Sequence, residues 1–130
     1  MKILFLGDVV GLSGCRKITK DLLGQIKKNN IDFVIINAEN ADDTGVGLTK
    51  EICKNFFENG VDVITTGNHV WDQKGIMNFI DKESRLLRPK NLFEPAPGTG
   101  FQIYKTKNDI KIGVLNLMGN VFMKKCEDVF

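Results

Sequence analysis

Residues 32–40 read Asp-Phe-Val-Ile-Ile-Asn-Ala-Glu-Asn, an apolar run that stops in a polar cluster. A short continuous apolar run, without polar alternation, suits a strand buried on both faces in a parallel sheet. The same format precedes and follows it. Residues 2–6 are largely apolar and stop at Gly7-Asp8, and residues 61–65 lead into Thr66-Gly67-Asn68-His69. Between these runs the period changes. Cys15, Ile18, Leu22 and Ile26 fall three or four apart, which predicts a helix with Lys and Arg on its outer face. Ser13 is its expected N-cap, and Lys27-Lys28 sit where the helix dipole favours cations. Leu48, Ile52, Cys53, Phe56 and Phe57 form a second helical stripe, with Thr49 as cap and Gly60 as C′ residue. A further helix is expected over 72–82, burying Ile76, Phe79 and Ile80, and Arg88-Pro89 closes it. Residues 92–100 read as loop, and 101–105 with 110–116 as a hairpin turning near Lys107-Asn108-Asp109. The order β-α-β-α-β followed by more strands predicts an α/β layered fold.

With 130 residues, 42% hydrophobic and 26% charged, the chain has the composition of a soluble globular domain. Eighteen Lys+Arg against sixteen Asp+Glu give a formal charge of +2. That balance gives no strong signal for nucleic acid or a membrane surface. The opening apolar run ends at Asp8, too early for a signal peptide, and no stretch has the length of a membrane span. Cys15, Cys53 and Cys126 are odd in number and widely spaced, which fits neither a disulfide framework nor a zinc knuckle. They read as reduced thiols of a cytoplasmic protein, with Cys15 and Cys53 in the core. Trp71, Phe56, Phe57 and Phe79 read as packing residues. Lys27-Lys28 and Lys124-Lys125 read as a solvated face.

In open α/β sheets, sites lie beyond the carboxyl ends of the strands. Three strands end in potential ligands, so Asp8, Glu39, Asn40, Asn68 and His69 are expected to converge although distant in sequence. Carboxylate, amide and imidazole groups suit manganese, iron, magnesium or zinc better than copper or an iron–sulfur cluster. A central carboxylate can bridge two ions, an arrangement common in phosphoester hydrolysis. Taken singly, each group has an ordinary structural role. Asp8 could be a turn residue, Asn40 and Asn68 left-handed turn residues, and His69 a hydrogen-bonded surface histidine. Three successive strand ends carrying ligand types favour metal binding. Phosphate binding by backbone is less favoured: Gly11-Leu12-Ser13-Gly14 precedes a helix, but neither a P-loop nor a G-x-G-x-x-G fingerprint is present. Gly45-Val46-Gly47 reads as a plain connection.

These motifs carry a resemblance. Gly7-Asp8-x-x-Gly11, Asn37-Ala38-Glu39-Asn40 and Thr66-Gly67-Asn68-His69 resemble the first motifs of the calcineurin-like metallophosphoesterases. MKILFLGDVVG, DFVIINAENA, GVDVITTGNHVWD and RLLRPKN are similar to the YmdB-like branch, a bacterial group of cyclic-nucleotide phosphodiesterases. The resemblance runs from Met1 to about Phe122. It implies a layered β-sandwich flanked by helices, of which residues 1–130 are the amino-terminal part of a single metallophosphoesterase domain. It implies two divalent metal ions, iron or manganese ahead of magnesium or zinc. Asp8 would serve the first ion, Glu39 the bridge and Asn68 the second. Asn40 would lie near the first ion, where Val10 stands in place of a histidine that many relatives carry. His69 would be the catalytic residue, contacting the phosphate or protonating the leaving oxygen.

The family is about twice as long, and its second half brings three further histidine ligands, whereas this chain has none after His69. Two ions need on the order of ten coordination positions, more than these five groups supply. The resemblance also implies that later chain completes the second sheet. Ile110, Ile112, Val114, Leu115 and Leu117 are therefore expected to leave an uncovered apolar strand that recruits another chain, as a homo-oligomer or a missing carboxy-terminal half. Three functions compete. The first is a phosphodiesterase in which a metal-bound hydroxide attacks phosphorus, with a 2′,3′-cyclic nucleotide or other phosphodiester as substrate. The second is an inactive truncated fragment or association module with at most a weak metal site. The third, a small nucleotide-binding module, is disfavoured by the absent fingerprints.

Overall fold

The computed structural model describes residues 1–92, 95–123 and 126–127. Strands β1 (Ile3–Leu6), β2 (Phe33–Asn37), β3 (Val63–Thr65) and β4 (Leu86–Leu87) form a parallel sheet in that order. Helix α1 (Gly11–Asn29) links β1 to β2, and α2 (Lys50–Glu58) links β2 to β3. Strands β5 (Phe101–Lys105) and β6 (Lys111–Leu115) form a separate antiparallel hairpin. No helix among the described residues is long and apolar enough to cross a membrane.

The continuous apolar reading of β2 has its cause in two cores. Val34 and Ile36 face the helices, in a cluster with Leu22, Phe56 and Ile64. Phe33 and Ile35 face the hairpin, in a second cluster with Val63, Leu87, Ile112 and Val114. Successive strand side chains point to opposite faces, so a strand between two layers must be apolar throughout. The chain is thus a sheet with helices on one face and a hairpin on the other. Cys15 and Cys53 lie in the helix-side core as expected, and burial pushes both thiols up from their ordinary pKa.

Three local expectations differ from the structure. Ser13 lies inside α1 and is not its cap; Val10 holds the N-cap position without a side-chain hydrogen bond. The helix begins earlier because the Gly11 amide donates to the Asn40 carbonyl at 2.8 Å. Residues 72–82 form two 3-10 turns, Lys74–Asn78 and Ile80–Lys82, in place of one α-helix. Ile76, Phe79 and Ile80 are buried as expected, but three-residue hydrogen bonds such as Phe79 N–H to the Ile76 carbonyl hold the backbone. Gly75 within the first turn weakens the case for a longer helix. Strand β4 falls in the stretch read as closing the helix, and two residues are too few to show a period. The Thr49 cap does form, its Oγ1 accepting from the Ile52 amide at 3.3 Å, a contact of about 1 kcal/mol. Lys124-Lys125 lie outside the described residues.

The hairpin covers only part of the sheet. Ile3 (46% exposed) and Phe5 (59%) on β1 face outward, as does Leu115 (53%) on β6. Between them lies a groove of about 600 Å³ that mixes these apolar side chains with Asn37, Thr65 and Asn116. Contiguous apolar surface of this kind binds apolar probes. The 130-residue chain is expected to enhance the fluorescence of an apolar dye, and Phe5→Lys to reduce that enhancement; an unresponsive dye would show that the groove is closed in solution.

Candidate metal and phosphoester site

The three polar clusters sit on one edge of the sheet because their strands are parallel and adjacent. Backbone hydrogen bonds then fasten them together. The Val9 amide donates to the Asn37 carbonyl at 3.0 Å, and the Ala38 amide to the Thr65 carbonyl at 3.1 Å. Asp8 adopts a left-handed φ of 49°, sparsely populated by residues other than glycine. Its Oδ1 accepts a hydrogen bond from Asn40 Nδ2 at 2.8 Å. Asp8 and Asn40, 32 residues apart, are thereby one unit.

Glu39 is only half-buried, yet its Oε2 is shut off from solvent and has no hydrogen-bond partner among the described residues. Buried carboxylate oxygens are normally satisfied, because leaving one unpaired costs a large part of its lost hydration. Gly67 makes this placement possible: a Cβ there would collide with the Glu39 carboxylate. Glu39 and Asn68 border one cavity of about 290 Å³ with Asn37 and Asn116. Asn116 fixes the cavity wall, its Nδ2 donating to the Thr66 carbonyl at 2.8 Å and the Leu87 carbonyl at 3.1 Å.

His69 belongs to a different contact. Its Nδ1 lies 2.6 Å from Asp72 Oδ2, three residues on. A carboxylate accepts only, so the imidazole proton sits on Nδ1, leaving Nε2 free as an acceptor in the neutral ring. Next in sequence, Gln73 Nε2 donates to Asp42 Oδ1 and the Val46 carbonyl, both at 3.1 Å. The Gly45-Val46-Gly47 connection is therefore pinned against the His69 turn. Just before it, burial raises the Asp42 pKa, but hydrogen bonds from Thr44 and Asp43 outweigh this and hold its carboxyl below the usual range.

The five sequence-derived residues thus fall into an Asp8–Asn40 pair, a Glu39–Asn68 cavity and a His69–Asp72 pair. Among the described residues, no three His, Cys, Asp or Glu side chains form a metal-holding group. Asp72, Gln73 and Asn116 were missed. Asp72 was legible as the i+3 partner of a histidine in one turn. Asn116 follows directly on β6, a strand-end position comparable to that of Glu39 after β2. Gln73 gave no signal, since its partners lie some thirty residues away. The donors fit a divalent cation in part: an orphaned, buried carboxylate oxygen and neighbouring amide oxygens are hard ligands. They fall short of the positions two ions require.

The chain belongs to the YmdB-like protein family, whose profile it matches over residues 4–130. It is 44% identical over 131 aligned residues to a Bacillus subtilis (strain 168) protein named 2′,3′-cyclic-nucleotide 2′-phosphodiesterase, covering all of this chain and 48% of that protein. Two crystal structures have the same fold. A hypothetical protein from Thermus thermophilus matches with a TM-score of 0.89 and 33% identity, over 98% of this chain and 49% of that one. A structure described as a novel phosphatase, from Mycoplasma pneumoniae, matches with a TM-score of 0.88 and 33% identity, over 99% and 47%. The chain spans about half the length of the curated relatives it matches.

Two measurements check this geometry. Gly67→Ala is expected to lower stability in chemical denaturation by about 1–3 kcal/mol, the usual cost of an overpacked contact; an unchanged midpoint would mean that Glu39 is not held against Gly67. Nitrogen-15 NMR of His69 at high pH should show the Nδ1–H tautomer, and Asp72→Ala should shift it toward Nε2–H.

Proposed function

We propose that residues 1–130 supply the amino-terminal part of a metal-dependent phosphodiesterase domain acting on 2′,3′-cyclic nucleotides or related phosphodiesters. The observation that carries this reading is the orphaned Oε2 of Glu39, a buried anionic oxygen at the sheet edge that a cation would satisfy. The name of the Bacillus subtilis relative supports the substrate class. Glu39 would bridge two divalent ions, iron or manganese ahead of magnesium or zinc, with Asp8 and Asn40 beside the first and Asn68 at the second. Such ions polarise a phosphoryl oxygen and neutralise the charge that builds on it. The remaining ligands would come from outside these residues.

This chain's own side chains have distinct tasks. Asn40 holds the Asp8 carboxylate in place. Asp72 fixes the His69 ring, so that protonated His69 presents an Nε2–H to the departing oxygen as general acid. A second reading, a non-catalytic segment with a weak metal site, is favoured by the lack of a three-ligand group among the described residues. We place the enzymatic reading first because Glu39 Oε2 has no other partner there.

Manganese binding and turnover of a 2′,3′-cyclic nucleotide separate the two. Glu39→Gln is expected to weaken manganese binding by roughly tenfold or more. In a complete domain, His69→Ala is expected to leave binding intact and lower turnover by roughly two to four orders of magnitude. A complete domain that takes up no manganese and hydrolyses nothing supports the second reading, and loss of metal in His69→Ala would make that residue a ligand.

A further inference from the structure

Away from the sheet edge, α2 and residues 78–85 enclose an open cavity of about 500 Å³, within the range of small-molecule sites. It shares no lining residue with the cavity of Glu39 and Asn68. Its floor is apolar and uncharged. Cys53 is buried there, and burial keeps its thiol protonated. Phe57 lies beside it, with the Arg85 guanidinium stacked 3.8 Å from the ring centroid.

The rim carries Lys50, Lys54, Lys82 and Arg85 against Glu58 and Glu83. Both acidic groups are already engaged. Arg85 grips Glu83 through two contacts of 2.9 Å, Nε to Oε1 and Nη2 to Oε2, and this hydrogen bonding holds the Glu83 carboxyl below its usual range. Glu58 answers Lys54 loosely at 3.7 Å. Lys50 and Lys82 make no ion pair among the described residues, so two ammonium groups border the cavity uncompensated. Cationic rim, apolar floor and volume together suit a ligand with an anionic end and a flat apolar body.

We propose that this cavity binds a small organic phosphate of nucleotide size, its phosphate groups met by Lys50 and Lys82 and its base lying over the Phe57–Arg85 stack. Guanidinium planes and aromatic rings both offer stacking surfaces to a base. The lysines act as point charges toward phosphate. This site is independent of the phosphodiesterase reading, since it uses neither the strand ends nor a metal.

Proton–nitrogen NMR titration of the 130-residue chain with ADP, without divalent metal, tests it. Amide shifts are expected at Cys53, Phe57 and residues 78–83. The double variant Lys50→Ala, Lys82→Ala should weaken ADP binding roughly five- to thirty-fold, as expected for losing two exposed charge contacts. The double variant Lys27→Ala, Lys28→Ala, an equal charge change on α1, should leave it unaltered. Inorganic pyrophosphate should bind more weakly than ADP, because it cannot use the apolar floor. No shifts at millimolar ADP would overturn the proposal, as would shifts confined to Asn68 and His69 or a double variant that titrates like the parent. Equal affinity for ADP and pyrophosphate would overturn the assignment of the base.

Discussion

A carboxylate oxygen held out of water without a donor is an expensive arrangement, and among the described residues Glu39 Oε2 is in that position. The surrounding backbone is what makes it tolerable. Gly67 offers a surface with no side chain, so the carboxylate can lie against the β3 turn. Gly47 N–H donates to the Glu39 carbonyl at 2.6 Å and fixes the residue from its other side. An isolated Glu would turn toward solvent; here the constraint comes from the turn after β3 and the loop after β2.

The three polar clusters meet because β2 lies between β1 and β3 and is covered on both faces. The register pairs Leu6 with Ile36 and Asn37 with Thr65, which aligns the strand ends before any side chain contributes. Loop-to-loop backbone bonds then continue the ladder past the strands, as in the Val10–Asn40 bridge. The polar edge therefore draws its rigidity from two hydrophobic cores, and substitutions of its ligand side chains leave those cores untouched. The candidate site and the fold can be perturbed separately.

The sequence showed the parallel sheet, both helices and the hairpin because each imposes its own period on apolar residues. Phe33-Val34-Ile35-Ile36 is continuous where two layers cover the strand, and Ile18, Leu22 and Ile26 recur where one does. It did not show the limits of α1, which a tertiary hydrogen bond from Gly11 decides, nor the breakup of residues 72–82 into 3-10 turns. The motif residues were visible as strand ends. Their partners were less so. Asp72 acts within one turn of His69, whereas Asn116 and Gln73 act across fifty and thirty-one residues. Pairings of that length follow from how layers stack, which no local pattern encodes.

The choice of amide over carboxylate at position 40 has a physical reason that limits what Asn40 can do. Asp8 Oδ1 accepts only, so the Asn40 atom facing it at 2.8 Å must be the nitrogen. An aspartate at position 40 would set two carboxylates in contact and force one to take up a proton. With the amide in place, the Asp8 carboxylate is held by a neutral donor. The pair therefore offers one charged and one neutral oxygen. Glu39 and Asn68, which border the neighbouring cavity, repeat that ratio. Two carboxylates and two amides carry a formal charge of −2, less than the +4 that the two divalent ions of the proposed function would bring. Under that proposal the edge would keep a net positive charge toward an anionic phosphodiester.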